Sequence, residues 1–371
     1  MMAEHRVELA RAPRKLGRRL AQGAALMGAG AAGLFVADAA LVMGALVRAA
    51  FALPRPVDDG PDPLLAPPRE PLRSSVVGTH DGVLLHVETS TDLATHSSDE
   101  VLVLVHGWTC NTRFWNAQLN HYAGRMPIIA YDQRGHGLSE LGPAKATIEM
   151  LGQDLQAVLE QTLPPGKRAI LVGHSMGGMA IMSWAAQYSS QIVDQVAGIV
   201  LTSTTSHDLI QQQRLTPPNL PRFTHPVNPA IARAFTSSPV PLPSNGLTNI
   251  LAHYIALGTQ TRAAHVAFTD ELIAGCPPLA RAAWGSAMYY LNVTAGLRAI
   301  NVPTAVVVGT DDRLTPVIHS EYLAASLRAN DVLHSYTEFP GAGHMVTYER
   351  GEEYNVLLDG FIEDIVRTTA S

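Results

Sequence analysis

The chain has 371 residues, 47% of them hydrophobic and 16% charged, with a formal net charge of −6. That is enough for one large domain with an appendage, and the mild acidity, with no basic stripe beyond the N-terminal arm, argues against nucleic acid as a partner. Two cysteines, Cys110 and Cys276, cannot build a disulfide framework or a zinc cluster, and the fifteen histidines fall in no metal-binding spacing, so no metal and no cofactor are expected.

Residues 1–53 read as a basic arm followed by an anchor. Arg6, Arg11, Arg14, Lys15, Arg18 and Arg19 precede an apolar stretch over 20–47 in which only Gln22 and Asp38 are strongly polar. About 20 apolar residues suffice to cross a bilayer, and the preceding cations would hold the N-terminus in the cytoplasm. The expectation is therefore a transmembrane or signal-anchor helix, a membrane partner and an extracytoplasmic catalytic domain. A cleaved signal peptide, a helix docked on a surface and a cytoplasmic location are the alternatives. Asp38 is discordant, since a carboxyl at mid-membrane costs about 2.5–3.5 kcal/mol. Residues 54–72, with many prolines beside Asp58, Asp59 and Asp62, read as an extended linker.

The catalytic domain is expected over 73–371. Residues 73–90 read as a hairpin turning at His80-Asp81-Gly82. Val101-Leu102-Val103-Leu104-Val105 is an uninterrupted apolar run, the pattern of a strand covered on both faces. The pattern returns at 127–131, 169–172, 199–201 and 305–308, and a further strand is expected over 333–339. Helical spacing lies between, as over 147–161 with Ile148, Leu151, Leu155, Val158 and Leu159. Strands alternating with helices imply an α/β fold with a mostly parallel central sheet flanked by helices. The alternation stops over about 206–295, a proline-crowded and then helical excursion read as a helical lid. Cys110 and Cys276 read as two unrelated buried thiols, or as one disulfide if the domain is exported.

Gly173-His174-Ser175-Met176-Gly177 stands between the strand 169–172 and a helix over 178–186. Glycines flanking a serine at a strand-to-helix junction permit the strained turn that projects a hydroxyl from the sheet edge. Such a serine needs a base, an orienting acid and donors for an oxyanion. His344, in Gly341-Ala342-Gly343-His344-Met345, follows the last strand and fits the base. Asp311 and Asp312, in Gly309-Thr310-Asp311-Asp312-Arg313-Leu314-Thr315-Pro316, follow the strand before it.

With His106-Gly107-Trp108 and Asp132-Gln133-Arg134-Gly135-His136-Gly137, these motifs resemble, in order and spacing, the α/β-hydrolase superfamily, in its lid-bearing branch of serine esterases and monoglyceride-lipase-like enzymes. The resemblance covers about four-fifths of the chain, from residue 73 onward. It implies Ser175 as nucleophile, His344 as general base and Asp312, the fourth residue of the Gly-x-x-Asp-x-x-x-Pro pattern, as acid, with Asp311 the fallback. It also implies an oxyanion hole formed by the backbone N–H groups of Trp108 and Met176. His106, His136 and His174 read as structural. Relatives that open epoxides or remove halides use aspartate where Ser175 stands, so acyl transfer on a carboxylic ester, lipophilic given the apolar lid, is the implied activity. The alternatives are a C–C bond hydrolase, an aminopeptidase, for which the lid offers only Asp208, Asp270 and Glu271, or a low-turnover ligand-binding receptor.

Overall fold

A computed structural model describes residues 44–215, 236–241 and 246–369. Eight strands form one sheet: β1 (Leu72–Gly78), β2 (Leu84–Ser90), β3 (Glu100–Val105), β4 (Ile128–Tyr131), β5 (Arg168–His174), β6 (Val196–Thr202), β7 (Thr304–Gly309) and β8 (Leu333–Phe339). Their spatial order is β1-β2-β4-β3-β5-β6-β7-β8. β1 and β2 pair antiparallel, as do β2 and β4, and every pairing from β4 onward is parallel. The main helices are α1 (Asn116–Tyr122), α2 (Ile148–Thr162), α3 (Met176–Gln187), α4 (Gly246–Ala256), α5 (Ala263–Gly275), α6 (Pro278–Met288), α7 (Val317–Ala329) and α8 (Gly351–Thr369).

The apolar runs become central strands because helices cover both sheet faces. Along β3, Val101, Val103 and Val105 join one core with Leu151 and Leu155 of α2, Trp184 of α3 and Leu323 of α7. Leu102 and Leu104, pointing the other way, join a second core with Leu119 of α1 and Tyr354, Leu358 and Phe361 of α8. This two-residue alternation is the pleat of a strand, and here both faces are apolar. Since β3 to β8 run parallel, the segments that follow them emerge along one sheet edge, where α/β sheets place their sites.

The expectation of a membrane-bound enzyme is overturned. Among the described residues no helix is long and apolar enough to cross a membrane. Residues 20–43 of the apolar stretch lie outside the described residues, and its described end, 44–47, is helical within 44–51, where Ala45 and Ala50 are buried. The extracytoplasmic, membrane-bound placement and the membrane partner are withdrawn with it.

The proline-rich segment after this helix lies against α5 and α1. Val57 exchanges backbone hydrogen bonds with Thr261 (3.0 Å) and Ala263 (2.8 Å). Asp59 and Asp62 pair with Arg262, and Asp62 Oδ2 also meets His265 Nε2 at 2.9 Å. Asn116 and Asn120 of α1 donate to the carbonyls of Leu65 and Ala66.

Between β6 and β7, the described part of the excursion over 206–295 consists largely of α4, α5 and α6; residues 216–235 and 242–245, which hold most of its prolines, lie outside the described residues. α6 rests on the loops after β3 and β4: Trp108 Nε1 donates to the Arg281 carbonyl (3.0 Å) and Trp284 Nε1 to the Arg134 carbonyl (2.7 Å). Cys110 and Cys276 are buried free thiols.

The loop after β4 is held by a buried ion pair. Arg134, its side chain 1% exposed, makes two bonds to Asp154 of α2 (2.6 and 2.9 Å) and two to Asp81 of the β1–β2 turn (2.7 and 2.9 Å). Removing one member of such a pair strands the other's charge, at a cost of about 3–5 kcal/mol. Arg134→Ala is therefore expected to lower unfolding stability by about that amount in urea titration; a loss below about 1 kcal/mol would show that the pair carries little of the fold.

Candidate active site

Ser175 sits between β5 and α3 with φ 51° and ψ −116°, a left-handed backbone that a side-chain-bearing residue adopts only under constraint. Three contacts supply it. The Ser175 N–H donates to the Thr202 carbonyl of β6 (2.9 Å), and Thr204 Oγ1 donates to the Ser175 carbonyl (2.6 Å). Gly177 lets the first turn of α3 lie against β3, since a Cβ there would overlap the Val105 carbonyl oxygen. Ser175 itself is 9% exposed. As the first residue of α3, Met176 has an N–H among those that no carbonyl of the helix can reach.

Asp312 and His344 come from the loops after β7 and β8. Asp312 Oδ2 lies 2.8 Å from His344 Nδ1. The carboxylate also accepts the N–H groups of Leu314 and Thr315 (2.9 Å each) and the Thr315 hydroxyl (2.8 Å). Burial alone would raise the carboxyl, but the nearby His344, with the Thr315 donors, lowers it below the ordinary carboxylate value. Asp311 faces elsewhere, accepting from the Thr259 N–H (3.1 Å) and hydroxyl (2.8 Å). Of the two adjacent aspartates, Asp312 is the partner of His344.

His344 is tied to the serine segment through its backbone. Its carbonyl accepts from His174 Nε2 at 2.9 Å, and the two rings lie with centroids 4.8 Å apart. The bond fixes the His174 tautomer, since a carbonyl only accepts. His174 also stacks on Phe114 at 4.4 Å, and burial holds its pKa well below 6.5, so it stays neutral. On its other side, the His344 N–H donates to the carbonyl of Ala256, the last residue of α4 (2.9 Å).

Trp108 follows β3 on a loop held by two buried histidines. His106 Nδ1 donates to the Gly107 carbonyl (2.8 Å), and its Nε2 accepts the Gln133 N–H (2.9 Å). His136 Nδ1 donates to the Arg134 carbonyl (3.1 Å), and its Nε2 accepts the N–H of Thr109 (3.2 Å), a residue at φ 64°. Each ring thus joins the loop after β3 to the loop after β4. Burial lowers both pKa values, that of His136 to about 3. Asp132 completes the brace, accepting from the Thr112 N–H (2.8 Å), the Leu138 N–H (2.9 Å) and His86 Nδ1 (2.9 Å).

Two residues at this edge escaped the sequence reading. Thr315 donates to both oxygens of Asp312, through its N–H and its hydroxyl, and only its place just before Pro316 could have flagged it. Glu349, buried at the end of the short turn Val346–Glu349, accepts the N–H of Gly343 (2.9 Å) and that of Gly258 (2.7 Å). Burial pushes its carboxyl up to about 8 against the opposing pull of those two amides. No motif announces it.

The arrangement gathers a serine at a strained strand–helix turn, a carboxylate-paired histidine and a braced loop carrying Trp108. A profile of the alpha/beta hydrolase family matches residues 102–356. The chain is 24% identical over 268 residues to the biotin biosynthesis bifunctional protein BioHC of Cellvibrio japonicus, aligning 71% of itself with 48% of that longer protein. It is 25% identical over 265 residues to 3-oxoadipate enol-lactonase 2 of Acinetobacter baylyi, covering 68% of this chain and 85% of the relative. Among solved structures, a thermophilic esterase from Thermogutta terrifontis superposes with a TM-score of 0.60 at 22% identity, covering 79% of this chain and 99% of that one. With the family profile spanning more than half of its length, the chain belongs to the alpha/beta hydrolase family.

Proposed function

We propose that this alpha/beta hydrolase is a lid-bearing serine esterase that cleaves carboxylic esters of lipophilic character through an acyl-enzyme. The observation that carries the reading is the Asp312–His344 pair, held against the Ser175 segment by the bond from His174 to the His344 carbonyl. In this mechanism His344 Nε2 takes the Ser175 Oγ proton as the oxygen attacks the ester carbonyl carbon. The oxyanion that forms is received by the N–H groups of Met176 and Trp108. The intermediate collapses, His344 returns the proton to the departing alkoxide, and Ser175 is left acylated. Water, deprotonated by the same histidine, then releases the acid. Asp312 remains ionised and keeps the His344 proton on Nδ1.

The similar proteins named above as an esterase and an enol-lactonase support ester and lactone linkages as the substrate class, since a lactone is an internal ester. The lipophilic character rests on the apolar composition of the excursion over 206–295, since ligand pockets are mostly apolar with few polar groups, although its Trp284, Met288, Phe268 and Leu272 themselves pack into the two hydrophobic cores.

Hydrolysis of p-nitrophenyl esters of increasing chain length tests the reading. The wild type is expected to turn over the series with an optimum that sizes the acyl pocket, and Ser175→Ala to lose activity by about 10³-fold or more while staying folded. Retained activity in the variant would remove Ser175 from the chemistry. Labelling of Ser175 by a fluorophosphonate without turnover of any ester would favour the C–C hydrolase or aminopeptidase alternative.

A paired substitution tests the acid. Asp312→Asn is expected to cut kcat by about 10²–10⁴-fold, because the amide favours the wrong histidine tautomer. Asp311→Asn, which touches only Thr259 contacts, is expected to stay within a few-fold of wild type. The reverse ranking would reassign the acid.

A further inference from the structure

The geometry points to Glu349 as a positioning residue for the proposed base, one that locks the His344 loop to the corner after α4. The inference rests on the serine-hydrolase reading and goes beyond it, since the Glu349 side chain bonds the backbone of Gly343 and Gly258 and not the three proposed catalytic side chains.

Two independent chain segments meet at this carboxyl group. Oε1 accepts the N–H of Gly343, the residue before His344, at 2.9 Å, and Oε2 accepts the N–H of Gly258, just past α4, at 2.7 Å. The same segments are joined directly, because the Ala256 carbonyl accepts both the His344 N–H (2.9 Å) and the Met345 N–H (3.2 Å). The approach is close enough that a Cβ on Gly343 would overlap the backbone of Leu257 and Gly258. Buried amides without partners are costly. A two-oxygen acceptor between the segments satisfies both and fixes their separation.

The groups around Glu349 leave it to that task. Arg350 turns its guanidinium to the Glu349 and Pro340 carbonyls. Tyr348 bonds Thr269 of α5, and His253 of α4 bonds the Gly258 carbonyl. Asp312 adds like charge from the loop after β7. From Gly343 the linkage continues through the His344 carbonyl to His174 Nε2, one residue from Ser175. Loosening the Glu349 end should therefore let the His344 ring drift relative to the Ser175 hydroxyl, and displacements of about 1 Å cost about 10²-fold in rate.

The test is the kinetics of Ser175 labelling by a fluorophosphonate over a range of probe concentrations, on the full chain as wild type, Glu349→Gln and His344→Ala. The Glu349→Gln side chain keeps the shape of the original but turns an amide N–H₂ toward one of the two backbone N–H donors, so one of the two bonds is lost. The expected result is a maximal labelling rate about 10–100-fold below wild type, with a half-saturating probe concentration within about threefold. A filler role would lower the melting temperature and leave the maximal rate unchanged; that outcome overturns the assignment. If Glu349→Gln does not fold, Glu349→Asp, which keeps the carboxyl group but is too short to hold both amides, is judged by the same criterion. Wild type that is not labelled at Ser175 at all strikes the serine-hydrolase reading and this inference together. Wild type labelled at a rate that Glu349→Gln matches strikes the inference alone.

Discussion

The left-handed turn at Ser175 is the constraint on which the site depends. A non-glycine residue at φ 51° is held there against its own preference. The restraint comes from both sides: β6 takes the Ser175 N–H, Thr204 takes its carbonyl, and the first turn of α3 is pressed onto β3 where Gly177 has no side chain. These contacts exist because β3, β5 and β6 are adjacent and parallel with both faces buried. The hydrophobic cores above and below the sheet thus stabilise a local conformation that the backbone alone would not keep.

Around the turn, burial and hydrogen bonding divide the histidines into two kinds. His106, His136 and His174 are fully enclosed, and the cost of desolvating a cation outweighs any neighbouring charge, so each stays neutral with a tautomer set by a carbonyl. They serve as hydrogen-bonded braces between strand-end loops. His344 is also buried but alone of the four has a carboxylate on Nδ1. The different partner, more than the degree of burial, separates the proposed base from the braces.

Much of the fold was legible in the sequence because doubly covered strands leave uninterrupted apolar runs, and 101–105 and 305–308 fall within β3 and β7. The local motifs at Ser175, Asp312 and His344 were legible for a related reason: each needs small or turn-forming neighbours within a few residues. What was not legible depends on long-range partners. Glu349 meets Gly258 across 91 positions, and Asp62 meets His265 across 203, so neither bond leaves a local pattern. The linker composition over 54–72 did not foretell that Asp59 and Asp62 would tie it to Arg262. The membrane placement drawn from 20–47 failed for a different reason. Counting apolar residues tests whether a stretch could cross a bilayer, whereas among the described residues no helix is long and apolar enough to do so, and Ala45 at the stretch's described end is buried.

The central claim is that Ser175 becomes acylated. The most direct measurement is rapid acid quenching of the enzyme during turnover of p-nitrophenyl butyrate, followed by peptide mass spectrometry. The account predicts that the peptide containing Ser175 gains the mass of one butyryl group, that the adduct accumulates in the pre-steady state, and that His344→Ala does not form it. Turnover without any adduct, or with the acyl group on a residue other than Ser175, would contradict it.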